Sequence, residues 1–234
     1  MKILAIDTAT EACSAALYVD GEVLSEYKLA PREHTQLILP MVDRLLSQAD
    51  LKINQLDALS FARGPGAFTG VRIAAGVVQG LSYADDLPVV PVSTLAAMAA
   101  GIYYQHGHQN VLSAIDARMG EVYWGAYHVQ QDSIQLIDDE VVSSVENLQL
   151  PREEFKIQNW VAAGTGWSAY QDEFEKKISI PAEKIFSDCL PSAEVIVKLA
   201  AQDYALGKQM TAHQAQPVYL RDNVAKKKAA QTAS

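Results

Sequence analysis

The sequence predicts an α/β protein built of two related lobes, and three observations carry that prediction. An apolar strand ending in an aspartate, then a polar turn and a returning strand, occurs at residues 2–19 and again at residues 111–129, 109 positions apart. Self-similarity of this kind marks two copies of one supersecondary unit. Between and after the copies, short apolar runs of strand length alternate with longer stretches of helical periodicity, which is the order of an α/β domain. The 234 residues are 49% hydrophobic and 20% charged. That is ordinary globular composition, and it excludes disorder, collagen and coiled coil.

The elements follow in chain order. Residues 3–6 form a buried strand, residues 7–11 a polar turn, residues 13–19 a second strand and residues 22–29 a third after the Asp20-Gly21 turn, giving an N-terminal meander. Over residues 35–48 the apolar side chains Leu37, Ile38, Met41, Val42, Leu45 and Leu46 recur at three-and-four spacing, the signature of an amphipathic helix. A strand at residues 58–62 runs into the turn Gly64-Pro65-Gly66 and then a second helix, from Phe68 or Thr69 to about Ala84. Val71, Ile73, Ala74, Ala75, Val77, Val78 and Leu81 leave that helix almost no polar face, so it is buried on more than one side. Glycines weaken helices, and Gly76 and Gly80, one turn apart, are most simply explained by close approach of another backbone. Two readings stand: a central core helix, or a helix whose second face meets a partner subunit.

Residues 89–92 form a short strand and residues 94–101 a helix of small side chains. The repeat begins at Val111, with strands at 111–116 and 122–129, a turn at 130–133, a strand from Ile134 and an acidic amphipathic stretch to Leu150. A strand at 160–163 enters the glycine turn Gly164-Thr165-Gly166, and a helix at 193–206 starts from Ser192 as its N-cap. The division expected is an N-terminal lobe at residues 1–105, a C-terminal lobe at 106–213, and a C-terminal segment at 214–234 whose lysine-rich end frays.

Charge and cysteine content narrow the function. A net charge of -9 repels phosphate backbones and anionic lipid, so tight nucleic-acid or membrane binding by this chain alone is not expected. Cys13 and Cys189 make neither a disulfide framework nor a thiolate metal site. The apolar run at the N-terminus is far too short for a signal peptide, and no stretch approaches the ~20 apolar residues of a membrane span. A cytoplasmic, unexported protein is expected.

Several motifs invite a chemical reading. Gly64-x-Gly66-x-x-x-Gly70 lies between a strand and a helix, but Val71-Arg72 follow where Walker A needs Lys-Ser/Thr. It also carries one residue too many, and a rigid Pro65, for the dinucleotide fingerprint. The alternative is a turn that lets strand and helix pack closely. Asp7, Thr8 and Thr10 at a hairpin turn have the chemistry of a phosphate-binding loop, while in the second copy bulky Arg118 and Met119 stand where glycines would admit a phosphate. None of the five histidines has another at i+4, His106-x-His108 is a loop pair, and Gly166-Trp167-Ser168-Ala169-Tyr170 lacks the second glycine of a nucleophile elbow. Neither a hydrolase nor a protease has a visible carrier.

Taken together, Ile6-Asp7-Thr8-Ala9, His34-Thr35-Gln36, Gly64-Pro65-Gly66-Ala67-Phe68-Thr69-Gly70-Val71-Arg72-Ile73, Ile115-Asp116-Ala117-Arg118 with Glu121-Val122-Tyr123, and Pro217-Val218-Tyr219-Leu220-Arg221 resemble the bacterial TsaB family, formerly YeaZ. The resemblance implies an actin-like, sugar-kinase-like architecture of two lobes. It also implies a role in making threonylcarbamoyladenosine beside the anticodon of tRNAs reading codons that begin with A. In that family a paralogue, TsaD, is the transferase, assisted by the ATPase TsaE, and the TsaB-like chain is a noncatalytic scaffold. The resemblance implies that ATP and metal belong to the complex rather than to this chain, and that tRNA is met only through the complex. TsaD-like chains carry an H-x-x-x-H metal pair on the helix corresponding to residues 93–98, where this chain has Thr94 and Met98.

Family likeness further implies that the two N-lobe helices form a helical-bundle interface with TsaD, or with a second copy of the chain when TsaD is missing. The contacts expected are Leu37, Met41, Leu45, Val71, Ala74, Ala75 and Val78. On that reading Ala75→Glu abolishes the complex without unfolding the lobe. The alternative function is an ATP-dependent small-molecule kinase of the same fold, with Asp7, Thr8 and Thr10 holding phosphate as a vestige or a working site.

Overall fold

The computed structural model describes residues 1–130, 133–151 and 159–221. Its first sheet contains β1 (Lys2–Asp7), β2 (Ala12–Val19), β3 (Glu22–Leu29), β4 (Ala58–Ala62) and β5 (Val89–Val92), in the order β3-β2-β1-β4-β5. The second contains β6 (Asn110–Arg118), β7 (Glu121–Gln130), β8 (Ser133–Ser143), β9 (Val161–Ala163) and β10 (Ile185–Phe186), in the order β10-β9-β6-β7-β8. Read from its other edge, β8-β7-β6-β9-β10, the second order coincides with the first position by position. In each sheet the first three strands pair antiparallel as a meander, and the next two add in parallel on the other side of the first strand. The repeat seen in the sequence is therefore a repeat of topology: an α/β protein of two related lobes.

Each sheet is covered on both faces, which is why its central strands read as nearly unbroken apolar runs. Side chains alternate along β1: Leu4 and Ile6 join one core cluster, Ile3 and Ala5 another. Helices α1 (His34–Gln48) and α2 (Phe68–Tyr83) cover the first face with Ile38, Met41, Leu45, Ala74, Ala75 and Val78. The second sheet is covered on one face by α3 (Thr94–His106), and on the other by α4 (Gly166–Ala169) and α5 (Gln171–Lys177), whose Trp167 and Phe174 stack at 3.9 Å, Trp167 tilting and Phe174 stacking against Trp124 of β7.

Two packing relations could not be read along the chain. Helix α6 (Ala193–Ala205) falls in the sequence range of the second lobe, yet Ile196, Leu199 and Ala200 cover the free face of the first sheet. Helix α3 follows the first sheet in sequence and sends Leu95, Met98 and Ile102 into the second lobe's core, while its Ala97 and Ala100 touch the α6 layer. The two helices thus cross between the lobes in opposite senses. The expected helix 94–101 is also longer, reaching His106 before Gly107 closes it with φ +73 and an N–H bond to the Tyr103 carbonyl. The turn expected at 130–133 falls partly, and the lysine-rich end wholly, outside the described residues.

Candidate functional site

Asp7 and Thr8 close β1 and are fully buried, and Thr10 is 7% exposed. The Thr8 hydroxyl donates to the Gly70 carbonyl at 2.7 Å, and the Ala67 N–H donates to the Ala9 carbonyl at 2.8 Å. A Cβ on Gly66 would stand 2.4 Å from the Ala9 oxygen, and one on Gly70 2.0 Å from the Thr8 oxygen. The glycines thus let the start of α2 close onto the β1–β2 turn, against the Thr8 and Ala9 carbonyls. This answers the spacing question: Gly64-x-Gly66-x-x-x-Gly70 is a close-packing turn. Asp7, Thr8 and Thr10 are brought together as expected, but the hydroxyl and carboxylate suited to phosphate face inward. Burial pushes the Asp7 carboxyl up to about 7, partly offset by the Ala9 N–H that donates to Oδ1 at 2.8 Å, and Oδ2 has no partner among the described residues.

The matching turn of the second lobe is open but occupied. Arg118 and Met119 adopt left-handed φ values of +65° and +61°, and Asp116 accepts from the Arg118 N–H at 2.8 Å and the Tyr170 hydroxyl at 3.0 Å. Between the lobes lies a cleft of about 580 Å³ whose lining includes Thr10, Glu11, Asp116, Arg118, Thr165 and Arg221. Its cations are already answered: Arg118 pairs with Asp116 at 2.9 Å, and Arg221 pairs with Glu121 while donating to the Ala117 carbonyl. His34 of the His-Thr-Gln run pins the start of α1 to the turn, its Nε2 lying 2.9 Å from the Thr10 carbonyl. His106 and His108 flank Phe186, with ring centroids at 4.5 and 5.8 Å. Thr94 and Met98 lie in the core. Among the described residues no three His, Cys, Asp or Glu side chains gather as a metal site.

The expected helix contacts need correction. Met41, Leu45, Val71, Ala74, Ala75 and Val78 are at most 3% exposed, turned onto the chain's own sheet, and Leu37 is half-buried. The reason is general: the recurring stripe of a helix lying on a sheet is the stripe that folds the lobe. What α1 and α2 present outward is a different set. Leu39 is 47% exposed, Phe68 54% and Tyr83 84%, with Ile73 and Val77 half-buried beside them. Gly76 and Gly80 lie in the middle of this face, and a Cβ on either would meet nothing within 4 Å. They are not spacers inside the fold. Of the two readings of α2, the core accounts for one face, and among the described residues the apolar, glycine-floored face is left uncovered at Gly76 and Gly80. The signal was in the sequence, since a helix with no polar face must put apolar residues outward.

The described part of the C-terminal segment expected at residues 214–234 is tied to the rest of the chain by hydrogen bonds. The Gln79 side chain donates to the Ala215 carbonyl at 2.9 Å, the Val218 N–H donates to the Arg63 carbonyl at 2.8 Å, and Tyr219 and Arg221 reach α2 and the second lobe.

Comparisons with known proteins converge. A family model described as TsaD, tRNA N6-adenosine threonylcarbamoyltransferase, matches residues 22–229. The chain is 46% identical over 231 residues to the tRNA threonylcarbamoyladenosine biosynthesis protein TsaB of Escherichia coli (strain K12), covering 97% of this chain and 98% of that protein. It is 40% identical over 240 residues to the protein of the same name from Haemophilus influenzae (strain ATCC 51907 / DSM 11121 / KW20 / Rd), with 97% of each covered. Among solved structures, YeaZ from Pseudomonas aeruginosa superposes with a TM-score of 0.86 at 45% identity, over 94% of this chain and 99% of that one. A tRNA N6-adenosine threonylcarbamoyltransferase from Prosthecochloris aestuarii (strain DSM 271 / SK 413) is similar over a shorter stretch, 33% identical across 42% of this chain.

Proposed function

The chain belongs to the TsaB family, formerly YeaZ, and from that premise we propose that it is a noncatalytic subunit of tRNA threonylcarbamoyladenosine biosynthesis, holding the transferase TsaD in its active form with TsaE as the third component. One observation carries the scaffold reading: the outward face of α2 is apolar, floored by Gly76 and Gly80, and among the described residues nothing covers it at those glycines. Helices that approach closely across glycines gain dense contact along their length, and a partner helix fits such a face. The partner surface therefore consists of the outward residues of α1 and α2, in place of the six buried ones and the half-buried Leu37. TsaD occupies it, and a second copy of the chain does so when TsaD is absent.

The turned-in Asp7 and Thr8 support the noncatalytic part, because a kinase of this fold would need them at the surface. In our reading the chain requires no cofactor itself, ATP and metal act in its partners, and tRNA is met through the assembled complex. No helix among the described residues is long and apolar enough to cross a membrane, and we place the protein in the cytoplasm with its substrate tRNA.

The test is reconstitution. Transcribed tRNA is incubated with TsaD, TsaE and threonylcarbamoyl-adenylate, with and without this chain, and the modified nucleoside is quantified by mass spectrometry. Product is expected only when the chain is present, and none from the chain alone. Gly76→Glu, which sets a charge on the open face without entering the core, is expected to abolish product while leaving the fold unchanged by circular dichroism. Product indifferent to the chain overturns the scaffold reading, and micromolar ATP binding by calorimetry would bring the kinase alternative forward.

A further inference from the structure

Helix α2 carries a single charge in sixteen residues, Arg72, on the same outward side as Gly76 and Tyr83. Its guanidinium carbon lies 3.6 Å from the centroid of the Phe68 ring and 5.4 Å from that of Tyr219. Its Nε donates to the Tyr219 hydroxyl at 2.7 Å, and the two rings are themselves 5.8 Å apart. No carboxylate pairs with Arg72 among the described residues, whereas Arg118 and Arg221 nearby each have one. Tyr219 in turn is fixed by its neighbours, through the Val218 N–H on the Arg63 carbonyl and Arg221 on the second lobe.

We propose that Phe68, Arg72 and Tyr219 form a preorganised anchor at one end of the α2 face, which takes a carboxylate from the docked partner protein. The proposal rests on the scaffold reading above and deepens it by naming the chemistry the partner must present. With Nε engaged by Tyr219, both Nη groups of Arg72 have no hydrogen-bond partner among the described residues, and they form a planar fork suited to two parallel bonds with a carboxylate. Because Phe68 and Tyr219 already hold the side chain, little rotamer freedom is lost on binding. Aromatic residues around an arginine are the composition of interface hot spots. A chain of net charge -9 with one such cation is a poor match for a phosphate backbone, which is held by several. A second copy packed α2 against α2 would leave the anchor unused, since that helix carries no carboxylate to offer. The C-terminal segment thereby becomes part of the binding surface, because Tyr219 completes the anchor.

The experiment measures binding of the full chain to TsaD by calorimetry at two salt concentrations, and self-association by sedimentation. Variants Arg72→Ala, Arg72→Lys, Tyr219→Phe and Gly76→Glu are each checked for an unchanged melting temperature. Arg72→Ala is expected to weaken the heterologous complex about thirtyfold and to flatten its salt dependence. Arg72→Lys should lose nearly as much, since an ammonium neither forks nor bonds Tyr219, and Tyr219→Phe should lose several-fold. Self-association should be unchanged. Binding within twofold of wild type for Arg72→Ala, with Gly76→Glu still disruptive, overturns the anchor and leaves the scaffold reading intact. If neither variant changes binding, both fall. Arg72→Lys binding like wild type overturns the fork, and loss of self-association alone assigns the anchor to a second copy.

Discussion

Asp7 shows how one residue can keep a motif's chemistry and lose its use. At the end of β1 it has the carboxylate a phosphate loop needs, yet it is fully buried and its carboxyl is pushed up to about 7 by that burial. In the unfolded chain the same group titrates near ~4. The folded state therefore holds the proton across the window between those values. Stability is fully present below pH ~4, is lost as pH rises toward about 7, and is flat beyond. Asp7→Asn removes the titration and keeps the acceptor for the Ala9 N–H. Urea unfolding should find this variant more stable than wild type at pH 8, by on the order of 1–3 kcal/mol, and nearly equal at pH 4.5. A variant less stable than wild type at pH 8 would show that the charged form is held by a partner.

At the scale of the element, α2 separates what periodicity reveals from what it leaves open. Its existence and limits were legible, because strand, Gly-Pro-Gly turn and apolar run follow one another without ambiguity, and α1 and the central strands were equally plain. The contact face was not. Val71, Ala74, Ala75 and Val78 recur at helical spacing, but so do Phe68, Arg72, Gly76 and Tyr83, and the sequence does not say which set meets the sheet. The turn after β1 that carries Asp7, Thr8 and Thr10 was legible, but the inward direction of Asp7 and Thr8 depends on Gly66 and Gly70 approaching the Ala9 and Thr8 carbonyls, a contact across some sixty residues of chain. The corrected face reverses an expectation about mutants. Ala75→Glu places an unpaired charge in the core at 3% exposure, and should unfold the lobe rather than spare it, by roughly 3–5 kcal/mol. Gly76→Ala does the opposite. Its methyl enters open space and improves helix propensity, so the isolated chain should gain about 0.5–1 kcal/mol in thermal unfolding while TsaD binding weakens. A Gly76→Ala chain that gains stability and binds TsaD undiminished would show that no partner backbone approaches there.

The crossing helices decide how the whole molecule behaves. Two lobes with separate cores would be expected to unfold separately, since each sheet could lose its structure without exposing the other. Here α6 belongs to the core of the first sheet although the chain reaches it only after the second, and α3 contributes Leu95, Met98 and Ile102 to the second core before the chain has formed that sheet. Removing either lobe would strip a helix from the other. Further ties run the same way: Glu140 of β8 accepts from Ser93 and Tyr127 and lies 4.0 Å from Arg63 at the end of β4, and the segment from Ala215 to Arg221 touches α2, Arg63 and the Ala117 carbonyl. The lobes should therefore unfold as one cooperative unit, and the placement of tryptophan makes that measurable. Trp124, Trp160 and Trp167 all lie with the second sheet, so indole fluorescence reports that lobe alone, whereas far-ultraviolet circular dichroism reports helices of both. In a urea titration the two signals should give coincident midpoints and one slope. A fluorescence transition that precedes the loss of helix would mean that the crossings do not couple the lobes, and that the second can open while α1 and α2 of the first stay folded.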